Sequence, residues 1–236
     1  MALLSVRAFE SVETLKSELA DYVVSLTSGK ACVVAVSGGS LPKMLSGLRH
    51  KDLSAWEVFL ADERCVPVDS EDSNYKACVE ALPDLKIVCV DTSLEPKAAA
   101  AAYASELEKR GGVIDVALLG VGPDGHTASL FPGHHLFLEK TNVLVDSIVD
   151  SPKPPPQRVT LTRYALSKAK HIIYVATGAS KADVFAQTFR RSQTGHIVAA
   201  DPKPNLPVAH VRASNGSATF FVDTAAIASI PALEES

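Results

Sequence analysis

The stretch ACVVAVSGGS, residues 31–40, decides the fold class of this chain. Its first six residues are apolar, and three of them are Val, which is typical of a short strand buried on both faces of a sheet. The two glycines that follow permit a tight turn, and a helical segment is expected to begin at Leu41. A strand, a turn and a helix in this order begin a βαβ unit, in which successive strands are parallel.

The same alternation of strand, turn and helix recurs along the chain. It predicts an α/β fold in which a parallel sheet is flanked by helices, with a single domain across residues 1–236. The Pro-rich tract SPKPPP, residues 151–156, is too short for a linker between domains and predicts a rigid loop beside a site. The other predicted strands are residues 58–61, 87–90, 113–119 and 172–176, and the clearest predicted helices are 96–110 and 179–189.

Composition argues against several classes of partner. The net charge is −4, so nothing favours binding to nucleic acid or to anionic lipid, and no run reaches the roughly 18 apolar residues that a membrane span needs. The N-terminal segment turns acidic before a signal peptide could form, so we expect a cytoplasmic protein. Cys32, Cys65, Cys78 and Cys89 lack metal-site spacing and are expected to be reduced, with Cys32 and Cys89 inside buried strands.

In open parallel sheets, ligands bind beyond the carboxyl ends of the strands, so functional residues should follow each strand. After the first predicted strand, Gly38 and Gly39 allow the backbone to approach a ligand, and a helix N-terminus behind them would favour an anion. A plain tight turn is the alternative. The loop is neither a dinucleotide fingerprint nor a Walker loop, which argues against binding of NAD or ATP. The motif G-x-S-x-G is absent, which argues against a serine nucleophile.

Two cations follow other predicted strands. Arg64 closes Asp-Glu-Arg after the second strand, and its planar guanidinium suits a phosphate or a carboxylate. Lys181 lies in the first turn of the helix after Gly178, where a cation opposes the helix dipole unless an anion lies beside it. The alternatives are a solvated turn for Arg64 and a surface lysine for Lys181.

The most informative segment is GVGPDGHTASLFP, residues 120–132, which follows the fourth predicted strand. His126 follows three glycines, begins a predicted short helical turn and could act as a general base, with Asp124 near enough to bond the imidazole. The alternative is that Asp124 caps the turn and His126 is incidental. The remaining histidines lack this context and are expected to be structural or exposed: His50, His134, His135, His171, His196 and His210.

Taken together, GVGPDGHTASLFPGH, SGGS, DER, SPKPPPQRVTLT and ATGASKA resemble the 6-phosphogluconolactonases. The likeness extends from about Val34 to Lys181 and more loosely to residues 219–223. It implies a modified Rossmann-like α/β fold. Glucosamine-6-phosphate deaminase belongs to the same superfamily, but its similar Gly-His core continues toward Asn-Glu-Pro, whereas Thr-Ala-Ser-Leu-Phe-Pro follows His126 here.

The resemblance implies that the chain hydrolyses 6-phospho-D-glucono-1,5-lactone to 6-phosphogluconate in the oxidative pentose phosphate pathway. His126 matches the base that activates water, and Asp124 matches the adjacent carboxylate. No metal and no organic cofactor is implied, and the length is compatible with a monomer. A deaminase or isomerase and a non-catalytic sugar-phosphate sensor are the alternatives.

The resemblance also implies a set of substrate-binding residues. Arg64 and Lys181 match the cations that hold the phosphate, and Gly38 and Gly39 contribute backbone near the sugar phosphate. Arg158 falls in a segment similar to the family's, after the proline loop, and is expected at the site without an assigned role.

Overall fold

The apolar runs of the sequence assemble into a parallel sheet. The computed structural model describes residues 4–27, 30–201 and 203–233. Within them the strands are β1 (Leu4–Phe9), β2 (Cys32–Val36), β3 (Trp56–Leu60), β4 (Asp62–Arg64), β5 (Ile87–Val88), β6 (Val116–Gly120), β7 (Val145–Ile148), β8 (Arg158–Leu161), β9 (His171–Ala176), β10 (Phe189–Arg191), β11 (Ile197–Ala199) and β12 (Ala218–Asp223). The main sheet has the order β1-β12-β9-β6-β2-β3-β5, and every neighbouring pair in it is parallel.

Helices cover both faces of this sheet, which explains why its strands are continuous apolar runs. In β2, Val34 and Val36 pack into one core cluster together with α1, and Val33 and Ala35 pack into the other together with α4. The α/β sheet flanked by helices is confirmed. The helices are α1 (Val12–Thr27), α2 (Leu41–Met44), α3 (Asn74–Ala81), α4 (Pro96–Glu108), α5 (His135–Leu138), α6 (Arg163–Ser167), α7 (Ala182–Thr188) and α8 (Pro207–His210), with 3-10 turns at Leu45–Leu48 and Ala179–Lys181.

The order of the central strands gathers the loops at one edge. Because β9, β6 and β2 are parallel neighbours, the chain leaves all three at the same end of the sheet. Residues 37–40, 121–126 and 177–181 therefore lie side by side. The last of these loops is held by Asp223 at the end of β12, whose carboxylate accepts the N–H of Gly178 at 3.0 and 2.9 Å.

A second sheet places Arg64 and Arg158 next to each other. It has the antiparallel order β4-β8-β7, and Arg64 is paired in register with Arg158. The sequence predicted Asp-Glu-Arg only as the charged end of a strand. These residues instead form β4, because the chain turns out of the main sheet at Ala61, whose carbonyl accepts the N–H of Leu161 at 2.8 Å.

Several predicted boundaries were wrong. The run 87–90 is a strand only over Ile87–Val88, so Cys89 is exposed rather than buried. The helix predicted over 179–189 consists of a 3-10 turn and α7, and Phe189 begins the hairpin β10–β11. The predicted helical turn after His126 is absent, because Ala128 has φ +49° and the chain folds back. Thr127 and Leu130 then form an isolated bridge.

Among the described residues, no helix is both long enough and apolar enough to cross a bilayer. The four cysteines are free, as expected.

Candidate active site

A cavity of about 210 Å³ opens where the carboxyl ends of β2 and β6 meet the second sheet. The structure brings six of the seven predicted site residues to its wall, and the seventh, Asp124, lies behind His126. The lining residues are Ser37, Gly38, Gly39, Ser40, Asp62, Arg64, Asn74, Gly120, Val121, Gly122, Pro123, His126, Ala128, Arg158 and Lys181.

His126 and Asp124 form a hydrogen-bonded pair. Nδ1 of His126 contacts Oδ1 of Asp124, and the same oxygen accepts the backbone N–H of His126 at 3.3 Å. The carboxylate therefore bonds both the backbone and the ring of His126, and the role of this pair in a reaction stays a prediction. A carboxylate at Nδ1 favours the tautomer protonated there, which leaves Nε2 as the basic nitrogen available to a ligand.

Close packing in the turn fixes the position of the ring. The N–H of Gly122 donates to the carbonyl of His126 at 2.9 Å, and the ring of Phe131 lies 4.8 Å from the imidazole, centre to centre. A Cβ on Gly122 would come within 2.0 Å of His126 Nδ1 and 2.6 Å of Asp124 Oδ1. Residue 122 must therefore be glycine for the pair to form.

Lys153 is a third member of this group, and sequence reasoning did not name it. Its ammonium lies 2.9 Å from Asp124 Oδ2 and 3.2 Å from His126 Nδ1. Burial would raise the pKa of Asp124, but hydrogen bonds from His126 and Lys153 prevail and lower it below its ordinary value. The only signal in the sequence was the proline tract, which was expected beside a site.

Arg158 holds the proline loop against the cavity. The residue is 3% exposed, and its guanidinium donates to the carbonyls of Lys153, Pro154 and Pro155 at 2.9, 3.1 and 3.0 Å. Its Nη1 lies 3.7 Å from Oδ2 of Asp62, which is also buried. Burial lowers the pKa of Arg158, and the charge of Asp62 opposes that shift. Arg158 therefore shapes the wall of the cavity as well as lining it.

Two residues of the cavity wall, Arg64 and Ser37, each have a buried polar atom without a hydrogen-bond partner among the described residues. Arg64 donates from Nη1 to the carbonyl of Asp72 at 2.7 Å, but within the described residues its Nε has no hydrogen-bond partner. The same is true of Oγ of Ser37, a residue that is 4% exposed. Unsatisfied buried donors are costly, so a water or a polar ligand at this wall would have hydrogen bonds to complete.

Glu63 fixes the neighbourhood of Arg64. Its carboxylate accepts the backbone N–H groups of Arg64, Asn74 and Tyr75 at 2.7, 2.8 and 2.8 Å, and the hydroxyl of Ser73 at 3.1 Å. Burial raises the pKa of Glu63, whereas the three N–H groups act to lower it. The carboxylate thereby joins the end of β4 to the start of α3.

The glycine loop differs from its prediction in one respect. Gly38 and Gly39 line the cavity, but α2 behind them has only four residues, too few for a substantial helix dipole. At Gly38 the need for glycine comes mainly from close packing, because a Cβ there would come within 1.7 Å of Asn74 Oδ1. An anion here would depend on backbone N–H groups and on the cations opposite.

Lys181 is one of these cations. It lies at the end of the 3-10 turn rather than in the first turn of an α-helix, and it reaches the cavity wall. Burial and the nearby charge of Lys153 lower the pKa of Lys181, and Asp124 opposes them. Lys153 forms an ion pair with Asp124, whereas Lys181 forms none within the described residues, so Lys181 is available to an anionic ligand.

A group of potential metal ligands lies elsewhere in the described chain, at His134, His135 and Asp150. Nδ1 of His134 accepts the N–H of Leu136 at 3.2 Å, and its Nε2 lies 3.1 Å from Asp150. Both ring nitrogens of His134 are thus occupied in capping α5 and in bonding the aspartate, which argues for a structural histidine.

The family model described as glucosamine-6-phosphate isomerases/6-phosphogluconolactonase matches residues 8–220. The chain belongs to this family. The 6-phosphogluconolactonase of Rattus norvegicus is 36% identical over 94% of this chain and 91% of its own. The crystal structure of 6-phosphogluconolactonase from Thermotoga maritima is 27% identical, covers 94% of this chain and 100% of that one, and has a TM-score of 0.78. The predicted family is confirmed, and these relatives carry the name of a lactone-hydrolysing enzyme.

A monomeric glucosamine-6-phosphate deaminase also shares the fold, with a TM-score of 0.69 over 95% of this chain and 99% of that one. At 17% identity it is evidence for the fold alone.

The close approach at Gly122 predicts that Gly122→Ala separates His126 from Asp124. The new Cβ would overlap the imidazole, so the low-field proton resonance of a carboxylate-bound imidazole N–H should be lost. Gly120→Ala is the matched control, because a Cβ there also has nothing within 4 Å, the residue has no positive φ, and it lies at the start of the same turn. A low-field resonance that persists in Gly122→Ala would contradict this packing.

Proposed function

We propose that this chain hydrolyses 6-phospho-D-glucono-1,5-lactone to 6-phosphogluconate, the lactone-opening step of the oxidative pentose phosphate pathway. One observation carries the proposal: a histidine oriented by a carboxylate shares a cavity with Arg64 and Lys181, two cations suited to a phosphate. The names of the relatives point to the same reaction.

His126 is the general base in this mechanism. Asp124 holds the proton on Nδ1, so Nε2 accepts a proton from water as the water oxygen attacks the lactone carbonyl carbon. The tetrahedral intermediate then expels the ring oxygen, which takes the proton back from His126, and the ring opens to the free acid. General-base assistance of this kind contributes about 10²–10⁴-fold in rate.

Binding of the substrate phosphate positions the lactone in the cavity. Arg64, Lys181 and the backbone N–H groups of Gly38 and Gly39 bind the phosphate, and this remote binding energy holds the carbonyl against the base. The negative charge that develops on the carbonyl oxygen requires hydrogen-bond donors other than the N–H groups of Gly122 and His126, which are already bonded within the turn. No step uses a metal or an organic cofactor.

The structure around residue 128 favours the lactonase over a deaminase or isomerase. The segment after His126 folds back, and Thr127 and Ser129 are fully buried. Ser129 donates its hydroxyl to Asp62 at 2.7 Å, so this segment takes part in the packing behind the cavity. It contributes no carboxylate to shuttle the protons of an amino-sugar reaction.

We further propose that the protein is a cytoplasmic monomer with a single domain across residues 1–236. Its partner is a phosphorylated sugar lactone rather than nucleic acid or a membrane. The net charge of −4 and the small polar cavity support a small anionic ligand.

The test is to present fresh 6-phosphoglucono-δ-lactone and to follow acid release, subtracting the spontaneous rate at each pH. Enzymatic kcat/KM should rise between about pH 5 and pH 7, because only a neutral imidazole accepts a proton. Glucosamine 6-phosphate should release no ammonia in the same buffers. Ammonia release as fast as lactone opening would overturn the proposal, and a profile that falls with pH would remove His126 as the base.

His126→Asn tests the base directly. The fold should persist, and kcat should fall by about 10²–10⁴-fold, the range expected for loss of a general base. Circular dichroism and the unfolding midpoint control for folding. Near-normal turnover by the folded variant would exclude the assigned role and would favour a sugar-phosphate sensor or another base.

Arg64→Ala and Lys181→Ala test the phosphate site. Each should weaken transition-state stabilisation by about 1.5–3 kcal/mol, the value of a hydrogen bond to a charged group. The unphosphorylated gluconolactone should be a poor substrate and should respond little to either change, which separates lost phosphate contacts from damage to the fold. Equal turnover of both lactones by the unaltered protein would show that the phosphate site is wrongly placed.

A further inference from the structure

We propose that Lys153 is a positioning residue for the His126–Asp124 pair: it anchors the free oxygen of Asp124 and offsets its charge, so that His126 stays an unprotonated base. This inference deepens the proposed function and rests on it. The observation that supports it is that the Asp124 carboxylate contacts two partners. His126 lies at Oδ1, and the Lys153 ammonium lies 2.9 Å from Oδ2.

The geometry assigns different tasks to the two oxygens of Asp124. Oδ1 faces the ring, and Oδ2 faces the lysine, so the carboxylate cannot rotate about its terminal bond without breaking both contacts. Lys153 Nζ also lies 3.2 Å from His126 Nδ1. An ammonium only donates hydrogen bonds, and in the tautomer that Asp124 favours the Nδ1 proton points to the carboxylate, so Lys153 acts on the ring as a nearby positive charge.

Lys153 stands behind the catalytic histidine rather than on the cavity wall. The wall contains His126, Lys181 and Arg158, whereas Lys153 and Asp124 meet on the Nδ1 side of the imidazole. A substrate that uses Nε2 therefore has the ring between itself and the lysine. This arrangement favours an action through Asp124 and His126 over direct binding of the phosphate.

The backbone of Lys153 is tied in place. Its carbonyl accepts the guanidinium of Arg158 at 2.9 Å and the hydroxyl of Ser151 at 2.8 Å, and its N–H donates to the Ser151 hydroxyl at 3.3 Å. The N–H of Ser151 in turn donates to the carbonyl of Pro156 at 3.1 Å. The proline loop thus presents the lysine from a closed and anchored turn.

The charges around His126 explain why such a lysine is useful. Asp124 alone would stabilise the imidazolium, the form that cannot accept a proton from water. Lys153 neutralises that carboxylate and repels a protonated ring. The other charged groups that face the site are Asp62 and Arg64 of β4, Arg158 of β8, and Lys181 of the 3-10 turn.

Lys153→Met removes the charge but keeps the length of the side chain. The midpoint of the acid limb of kcat/KM should move up by about one pH unit. The interaction free energy of two unit charges at this distance corresponds to about one pKa unit even at the dielectric constant of water. The plateau kcat should fall, and KM for the phosphorylated lactone should change less than about threefold. Lys153→Arg keeps the charge and should restore the midpoint. Lys97→Met, at an exposed position of α4, is the matched control.

A titration by NMR of the His126 ring tests the same linkage without substrate. Its protonation midpoint should move up in Lys153→Met and in Lys153→Gln, and stay in place in Lys153→Arg. This readout separates the inference from the proposed function, because it holds or fails even if the protein opens no lactone. An unchanged midpoint in both neutral variants would overturn the inference, and so would a rise in KM with an unchanged kcat.

Discussion

A buried ion pair between Arg158 and Asp62 connects the parts of the molecule that form the cavity. Both residues are at most 5% exposed, and their charged atoms lie 3.7 Å apart. Taking two charges out of water is costly, so a pair of this kind is poor evidence for stability. Its role is better described as geometric, because the same guanidinium bonds three carbonyls of the proline loop and Asp62 bonds Ser129. One side chain thus fixes the loop and the back wall together.

The sequence was sufficient for five adjacent strands of the main sheet, β9-β6-β2-β3-β5, and for most of the cavity, but β1 and β12 were not predicted. Continuous apolar runs identify buried strands from the local sequence alone, without knowledge of the elements that pack on them. The rule that ligands bind beyond the strand ends then selected Gly38, Arg64, His126 and Lys181. All four line one cavity. These residues could be selected without a structure, because parallel strands bring their carboxyl ends to the same edge of the sheet.

The residues that were missed depend on contacts between distant parts of the chain. Lys153 reaches Asp124 across 29 positions of sequence, and apart from the prolines around it no local pattern distinguishes it from an exposed lysine. Asp62 and Asn74 gain their places only when β4 leaves the main sheet. The helical turn predicted after His126 failed for a similar reason: Ala128 takes a left-handed φ of +49°, and its surroundings rather than its own preference impose it.

The position of β1 at the edge of the sheet has a consequence for how the protein folds. Leu4 pairs with Ala218, so the first described strand forms its ladder with the last one. During synthesis β1 leaves the ribosome long before β12 exists, and the edge that pairs with β12 has no partner until that strand has been made. Contacts this distant in sequence are slow to form and leave strand edges open to other chains. The main sheet is therefore completed only after β12 has been made, and nascent chains are most exposed to aggregation before that closure.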